Sequence, residues 1–168
     1  LTALLLTHWD QRSPWQRYVV EAHPAPHPFL KYIKPGSDVY WYGELMPVWL
    51  LLGHSSYYSS KQGSGLLFNR GTAEEYSKRT ALLGFDDDVC FKERNLRISD
   101  QCRPTESVVR DVCDREKKLS AMIFPFPVNG LPSYRWEFMP TKKSSPLSFY
   151  LYACHELVSL PGVGVKNE

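Results

Sequence analysis

Apolar and polar positions in the first half of the chain alternate in short segments that match the lengths of strands and helices. Residues 39–42 are aromatic or β-branched, follow a Pro-Gly turn, and predict a strand. Residues 45–52 are apolar and are followed by Gly53, which predicts a helix that ends there. Residues 55–59 predict a second, short strand.

Three further helices are predicted from the residues at which they begin. The Ser-Pro pair at 13–14 suits an N-cap and the first position of a helix that continues to about residue 21. Thr72 and Glu75 match a capping box, so we predict a helix over residues 73–83. Pro104 predicts the start of another helix. Its apolar face consists of Val108, Val109, Val112 and Cys113.

The last third of the chain contains three more strand patterns, over residues 119–124, 134–138 and 149–153. Strands that alternate with helices earlier in the chain indicate parallel pairing, and the short loops near the end indicate antiparallel additions. The sequence therefore predicts an α/β fold with a mixed, partly parallel sheet and flanking helices. We expect one soluble domain over residues 13–160, followed by a flexible tail over residues 161–168.

Composition excludes several classes of protein. The chain has 168 residues, of which 43% are hydrophobic and 23% are charged, as in an ordinary globular domain. The net charge is only +2, and no basic stretch dominates, so we expect no nucleic-acid partner. The aromatic share of 14% is high, which allows a large core and also aromatic contacts with a ligand or partner.

The first residues have two interpretations. Residues 1–6 are almost wholly apolar, but a membrane span needs about 20 such residues. In one interpretation, residues 1–12 are the end of a transmembrane helix and its juxtamembrane segment. In the other, they form a short core helix. Trp15 and Tyr18 follow closely, as at a membrane interface, although they would also suit packing on the domain.

The four cysteines predict either two disulfides or buried free thiols. None of them forms a CxxC pair, so we expect no zinc site, and the sequence indicates no other metal and no cofactor. Three disulfide connectivities exist for four cysteines, and the sequence alone does not select one of them. Cys113 on an apolar helix face and Cys154 on a core strand would suit one bridge, which leaves Cys90 with Cys102.

Known catalytic motifs are incomplete in this sequence. Residues 53–57 read GHSSY, which lacks the last glycine of the nucleophile elbow GxSxG. Gly63 and Gly65 have neither the GxGxxG context nor the lysine of a phosphate-binding loop. We therefore assign no catalytic residues.

The segment over residues 57–70 is the best candidate for a ligand site. It combines aromatic, amide and guanidinium groups, which suit a sugar ring or a phosphate. Ligands of open α/β sheets bind beyond the carboxyl ends of strands, and Glu44 follows the first strand. The candidate ligand-binding residues are Glu44, Tyr57, Tyr58, Gln62 and Arg70. In the alternative, both tyrosines pack on the sheet and Arg70 pairs with Glu74 or Glu75.

Several motifs carry a resemblance that spans residues 8–155. They are VYW at 39–41, Trp49, SYYS at 56–59, QGSG at 62–65, Phe68, Arg70 and FYLYAC at 149–154. With these, the chain resembles the C-terminal soluble part of large bacterial membrane proteins with many spans. Some of those are similar to GT-C-type glycosyltransferases, which use lipid-linked sugars.

The resemblance implies a location and a parent architecture. The chain would be an accessory or substrate-recognition domain on the extracytoplasmic, periplasmic face of the inner membrane. Its partners would be the membrane part of the parent chain and a glycan or lipid-linked sugar. The catalytic carboxylate of such enzymes is expected in the membrane part, so no complete catalytic site is implied here. The alternative is a free-standing small α/β enzyme or nucleotide-binding protein.

Overall fold

A five-stranded mixed sheet with helices on both faces forms the centre of the computed structural model. The structure describes residues 10–21, 23–63, 69–84, 90, 102–141 and 144–159. The predicted membrane-proximal segment up to residue 9 and the predicted tail at 161–168 lie outside these residues. The α/β class and the mixed, partly parallel sheet are confirmed.

The secondary-structure elements follow one another in a mostly alternating order. They are α1 (Pro14–Val20), a 3₁₀ helix (Pro28–Tyr32), β1 (Asp38–Trp41), α2 (Met46–Leu50), β2 (Ser55–Ser56), α3 (Arg70–Leu83), α4 (Glu106–Arg115), β3 (Leu119–Phe124), β4 (Tyr134–Phe138), β5 (Leu147–Ala153) and α5 (Cys154–Ser159).

The strand order in the sheet is β2-β1-β3-β5-β4. Strand β1 pairs in parallel with β2 on one side and with β3 on the other. Strand β5 is antiparallel to both β3 and β4, so the predicted antiparallel additions are confirmed. The two connections that join parallel strands carry the helices, because a parallel pair needs a crossover.

Side chains that alternate along the strands supply two separate cores. On one face, Tyr40, Met122 and Tyr152 pack with residues of α3, α4 and α5. On the other face, Trp41, Ile123 and Leu151 pack with residues of α1, α2 and the 3₁₀ helix. Every residue of β3 is buried, as expected for a central strand covered on both sides.

Helix α1 is held against the sheet by its aromatic side chains. The rings of Trp15 and Phe149 are 5.0 Å apart between centroids, and those of Tyr18 and Phe138 are 4.8 Å apart. Of the two interpretations of Trp15 and Tyr18, packing on the domain is therefore the one that the structure shows. Ser13 caps the helix in a capping box with Gln16, as its sequence position predicts.

Several element boundaries differ from the sequence-based prediction. Helix α3 begins at Arg70, and its N-cap is Asn69, whose side chain accepts a hydrogen bond from the Thr72 amide at 3.1 Å. The predicted capping box at Thr72 is therefore wrong, because Asn69 is an equally good cap one turn earlier. Strand β2 ends at Ser56, three residues earlier than predicted.

Helix α5 was not predicted at all. Cys154 lies at its first position and not on a strand, and the helix buries Leu157 against the core. Six residues after an apolar strand carry too little periodicity to separate a helix from an irregular end.

Two disulfides connect the four cysteines, in one of the three connectivities that the sequence left open. Cys90 is bonded to Cys102, with 5.5 Å between their Cα atoms, and Cys113 is bonded to Cys154, with 5.0 Å between theirs. The second bridge joins α4 to α5 directly, which places both helices on the same face of the sheet.

Candidate functional site

A cleft of about 510 Å³ lies between the β2 edge of the sheet and helix α3. Its lining residues are Ser56, Tyr57, Tyr58, Gln62, Asn69, Gly71, Thr72, Glu75, Tyr76 and Arg79. Three of the five residues predicted from sequence, Tyr57, Tyr58 and Gln62, are among them. The structure thus brings these three together at the carboxyl end of β2, where ligands of α/β sheets bind.

The sheet side of this cleft is formed by the two residues that follow β2. The Tyr57 amide donates to the Val39 carbonyl at 2.9 Å, which continues the parallel pairing of β2 with β1. Tyr57 and Tyr58 are each only 2% exposed, so they form a wall and do not display their rings. Burial raises the pKa of Tyr57 well above its ordinary value, so its hydroxyl stays protonated at neutral pH.

The helix side of the cleft was missed by the sequence analysis. Thr72, Glu75, Tyr76 and Arg79 are spaced at i, i+3, i+4 and i+7, so helix α3 directs all four to one face. The signal was present in the sequence as this spacing of polar and aromatic residues. It became informative only once the helix was known to pack against the sheet edge.

Two tyrosines join the walls of the cleft. The hydroxyl oxygens of Tyr58 and Tyr76 are 3.0 Å apart, and their ring centroids are 4.9 Å apart. Tyr76 is half-buried, so part of its ring faces the cleft. Burial raises the pKa of Tyr76, so its hydroxyl stays protonated at neutral pH. The pair therefore holds α3 against the edge of the sheet and presents one aromatic surface.

The guanidinium of Arg79 is neutralised by its neighbours. Its Nε donates to Glu75 Oε1 at 2.8 Å, and its Nη2 lies 3.8 Å from Oδ2 of the buried Asp38. Its Nη1 also donates to the carbonyl of Tyr57. The hydrogen bond from Arg79 lowers the pKa of Glu75. Among the described residues that line the cleft, Arg79 is the only cation, so this surface carries no uncompensated positive charge.

Arg70 does not reach the cleft. It is the first residue of α3, its side chain is 92% exposed, and its Nε donates to Glu74 Oε1 at 2.7 Å. This i,i+4 ion pair is the alternative that the sequence allowed. A pair this exposed is screened by water and holds Arg70 on the outer side of the helix.

Glu44 lies in a second cleft, of about 450 Å³, which helices α1 and α2 line on the other face of the sheet. Burial raises the pKa of Glu44, although Lys61 Nζ is 3.8 Å from its carboxylate and the indole of Trp15 bonds to it. Tyr57 and Tyr58 line the first cleft and Glu44 lines the second, although all three follow the carboxyl ends of neighbouring strands.

Within the described ranges, no helix is both long and apolar enough to cross a bilayer. The same part of the chain has no group of three or more His, Cys, Asp or Glu side chains that could hold a metal ion. Comparison with known proteins finds no matching family model, no matching curated protein and no matching solved structure.

Proposed function

We propose that this chain is a substrate-recognition domain of a cell-envelope membrane protein, and that it binds a neutral glycan in the cleft between β2 and α3. The observation that carries the proposal is the chemistry of the cleft. Amide, hydroxyl and carboxylate groups surround a half-buried tyrosine ring, and the cation beside them is already paired.

The polar groups of the cleft match the hydroxyls of a sugar. Gln62 offers an amide, Thr72 a hydroxyl and Glu75 a carboxylate, so the surface has both donors and acceptors. The ring of Tyr76 supplies the apolar face that the C–H side of a sugar ring needs. A volume of about 510 Å³ falls in the range of roughly 300–1,000 Å³ that is typical of small-molecule sites.

The charge of the cleft favours a neutral ligand over a phosphate or nucleotide. A phosphate site needs a guanidinium or ammonium group that is available to the anion. The Nε, Nη1 and Nη2 atoms of Arg79 face Glu75, the Tyr57 carbonyl and Asp38, and Glu75 adds a negative charge at the rim. For this reason the nucleotide-binding alternative has less support than the glycan.

The location in the proposal is supported by the disulfides. Two bridges among the described cysteines are compatible with an oxidising compartment, as outside the cytoplasm. The proposed partners are the membrane part of the parent chain and a lipid-linked form of the sugar.

Ser56 lies on the wall of the cleft. Its hydroxyl donates to the Tyr58 carbonyl at 3.2 Å, so it acts there as a structural group.

An NMR titration of the chain tests this proposal. We would add glucose, N-acetylglucosamine and, as anionic probes, glucose 1-phosphate and AMP. We expect the neutral sugars to shift the backbone resonances of Gln62, Thr72 and Tyr76. Tyr76→Ala should weaken binding by about five-fold, since an aromatic contact contributes on the order of 1 kcal/mol. Arg70→Ala is the matched control on the same helix and should leave the affinity unchanged.

Two results would contradict the proposal. If no neutral sugar shifts the resonances of the cleft, the glycan function is wrong. If AMP or glucose 1-phosphate binds more tightly than the neutral sugars, and Arg70→Ala weakens that binding, the nucleotide-binding alternative is favoured. Tyr76→Phe separates the contribution of the ring from that of the hydroxyl, which contacts the Tyr58 hydroxyl.

A further inference from the structure

A group of exposed apolar side chains lies on helices α1 and α2, away from the proposed glycan cleft. Val20, Met46, Trp49 and Leu50 have 44%, 42%, 48% and 50% of their surface exposed. We call these four residues the apolar ledge. None of them lines the cleft between β2 and α3. Isolated apolar residues are normal on a surface, but a contiguous group that includes a tryptophan indicates a contact site.

The apolar ledge is continuous. Met46, Trp49 and Leu50 are spaced at i, i+3 and i+4 on α2, so they share one face of that helix. Val20 and Met46 line the same 450 Å³ cleft, which brings α1 into the group. Pro47 and Val48 are buried on the opposite face of α2. The sequence of α2, MPVWL, contains no charged residue, so the outer face of this helix has no group suited to water.

Charges surround the apolar ledge in balanced pairs. Arg12 pairs with Asp10 at 2.8 Å, and Lys61 lies 3.8 Å from Glu44. Arg12, Glu44 and Lys61 line the same cleft as Val20 and Met46. Paired cations and anions around an apolar centre complement zwitterionic headgroups, which also carry both charges. The charges of these described residues cancel, so they form no net positive rim of the kind that binds anionic lipid.

The size of the apolar ledge argues against a second copy of the chain as the partner. A stable protein dimer buries roughly 800 Å² on each side, from about 20–30 residues. Four half-exposed side chains are too few for such an interface. They are enough for contact with a bilayer, where tryptophan is enriched at the headgroup level and a few apolar side chains reach the acyl boundary.

We infer that the apolar ledge inserts into the interfacial region of a lipid bilayer, with Trp49 at the headgroup level. The sequence upstream of Arg12 has a composition typical of a membrane interface, because residues 1–6 are almost wholly apolar and Trp9 is aromatic. The inference goes beyond the proposed glycan function. It uses different residues and can fail independently of that function.

Binding of the 168-residue chain to phosphatidylcholine vesicles is the first test. Trp49→Glu with Leu50→Glu should lower the partition coefficient by about ten-fold or more, because interfacial binding scales with the apolar area buried. Met139→Glu with Leu147→Glu is the matched control: those residues are 53% and 41% exposed but lie on the β4–β5 side of the sheet, and we expect no change. Addition of phosphatidylglycerol should change binding of the unaltered chain little.

Methyl NMR with doxyl-labelled phosphatidylcholine in bicelles locates the contact. We expect broadening of the Met46 and Leu50 methyl signals and none at Met139 and Leu147. Equal broadening of both pairs, or broadening at neither pair, would overturn the inference. So would vesicle binding that the Trp49→Glu, Leu50→Glu variant retains. A concentration-dependent dimer that this variant abolishes, without vesicle binding by the unaltered chain, would assign the apolar ledge to a second copy instead.

Discussion

The guanidinium of Arg79 lies over the ring of Tyr57, with 4.6 Å between Arg79 Cζ and the ring centroid, and also donates to the Tyr57 carbonyl. One side chain therefore fixes both the ring and the backbone of the residue that follows β2. Because Arg79 also faces the buried Asp38 of β1, it connects helix α3 to two strands. This cluster determines the shape of the cleft proposed to bind a glycan.

Replacing Arg79 should destabilise the fold more than replacing Arg70, an exposed cation of the same helix that pairs with Glu74. Arg79→Met removes this donor from the Tyr57 carbonyl. Among the described residues, it leaves Asp38 with the ion pair to Lys118, whose Nζ is 3.4 Å from Asp38 Oδ1. We expect the free energy of unfolding to fall by about 2 kcal/mol. Arg70→Met, which removes an exposed pair, should cost less than about 0.5 kcal/mol. If urea unfolding shows that both variants lose the same free energy of unfolding, the Arg79 cluster does not stabilise the fold.

The disulfides should contribute unequally to stability. Cys113 and Cys154 are separated by 41 residues, and Cys90 and Cys102 by 12. Loop closure entropy then predicts that Cys113→Ala with Cys154→Ala costs about 4 kcal/mol, and Cys90→Ala with Cys102→Ala about 3 kcal/mol.

Urea unfolding of the two double variants measures these losses. Mass spectrometry of the unreduced chain after thiol labelling should find no labelled cysteine at the four positions. Labelling of Cys113 or Cys154 in the native state would contradict the bridge between α4 and α5.

His27 should make the fold sensitive to acid. Its ring is 7% exposed, its Nδ1 accepts a hydrogen bond from the Phe29 amide at 3.2 Å, and its centroid is 4.5 Å from that of Trp136. Burial, with a smaller contribution from His23, lowers the pKa of His27 from 6.5 to about 4. The neutral ring is thus favoured in the folded state, and its contribution is present above pH 6.5 and is lost as the pH falls to 4.

The difference between pKa values of 6.5 and about 4 corresponds to about 3 kcal/mol, since each pKa unit is equivalent to about 1.4 kcal/mol. His27→Asn keeps an acceptor for the Phe29 amide but cannot titrate, so its stability should fall less between pH 6.5 and 4. Urea unfolding at several pH values measures this slope. His155→Asn, at an exposed histidine, is the control and should keep the steep slope; an equally steep slope in His27→Asn would exclude His27 as the cause.

Glu44 should be dispensable for the glycan cleft. Because Glu44 lines the second cleft and not the proposed glycan cleft, Glu44→Gln should leave the sugar affinity within about two-fold of that of the unaltered chain. The raised pKa means that the folded state favours the protonated carboxyl, so ionisation above that pKa opposes folding. Glu44→Gln should therefore gain stability relative to the unaltered chain as the pH rises from 4 to 7. A loss of sugar affinity would instead place Glu44 in the ligand site.

Local patterns were sufficient to predict most of the elements. Residues 39–42, 119–124 and 134–138 were identified as strands because β-branched and aromatic residues without breakers have few other arrangements. Pairing of Cys113 with Cys154 was also anticipated from the apolar segments in which they lie. The start of α3 was not, because Asn69 and Thr72 are both good caps and only the packed helix decides between them.

The sequence by itself determined the fold class and pointed to the part of the cleft that follows β2, whereas the tertiary structure selected one of the three disulfide connectivities. The tertiary structure alone decided which residues face that cleft. Arg70 and Arg79 both belong to α3, but the helical rotation between them directs Arg79 to the sheet edge and Arg70 to water. Glu44 follows a neighbouring strand, yet it lines the second cleft with residues of α1 and α2 and not the cleft between β2 and α3. Which cleft a side chain faces depends on packing between segments that are far apart in the chain, and local sequence does not encode this packing.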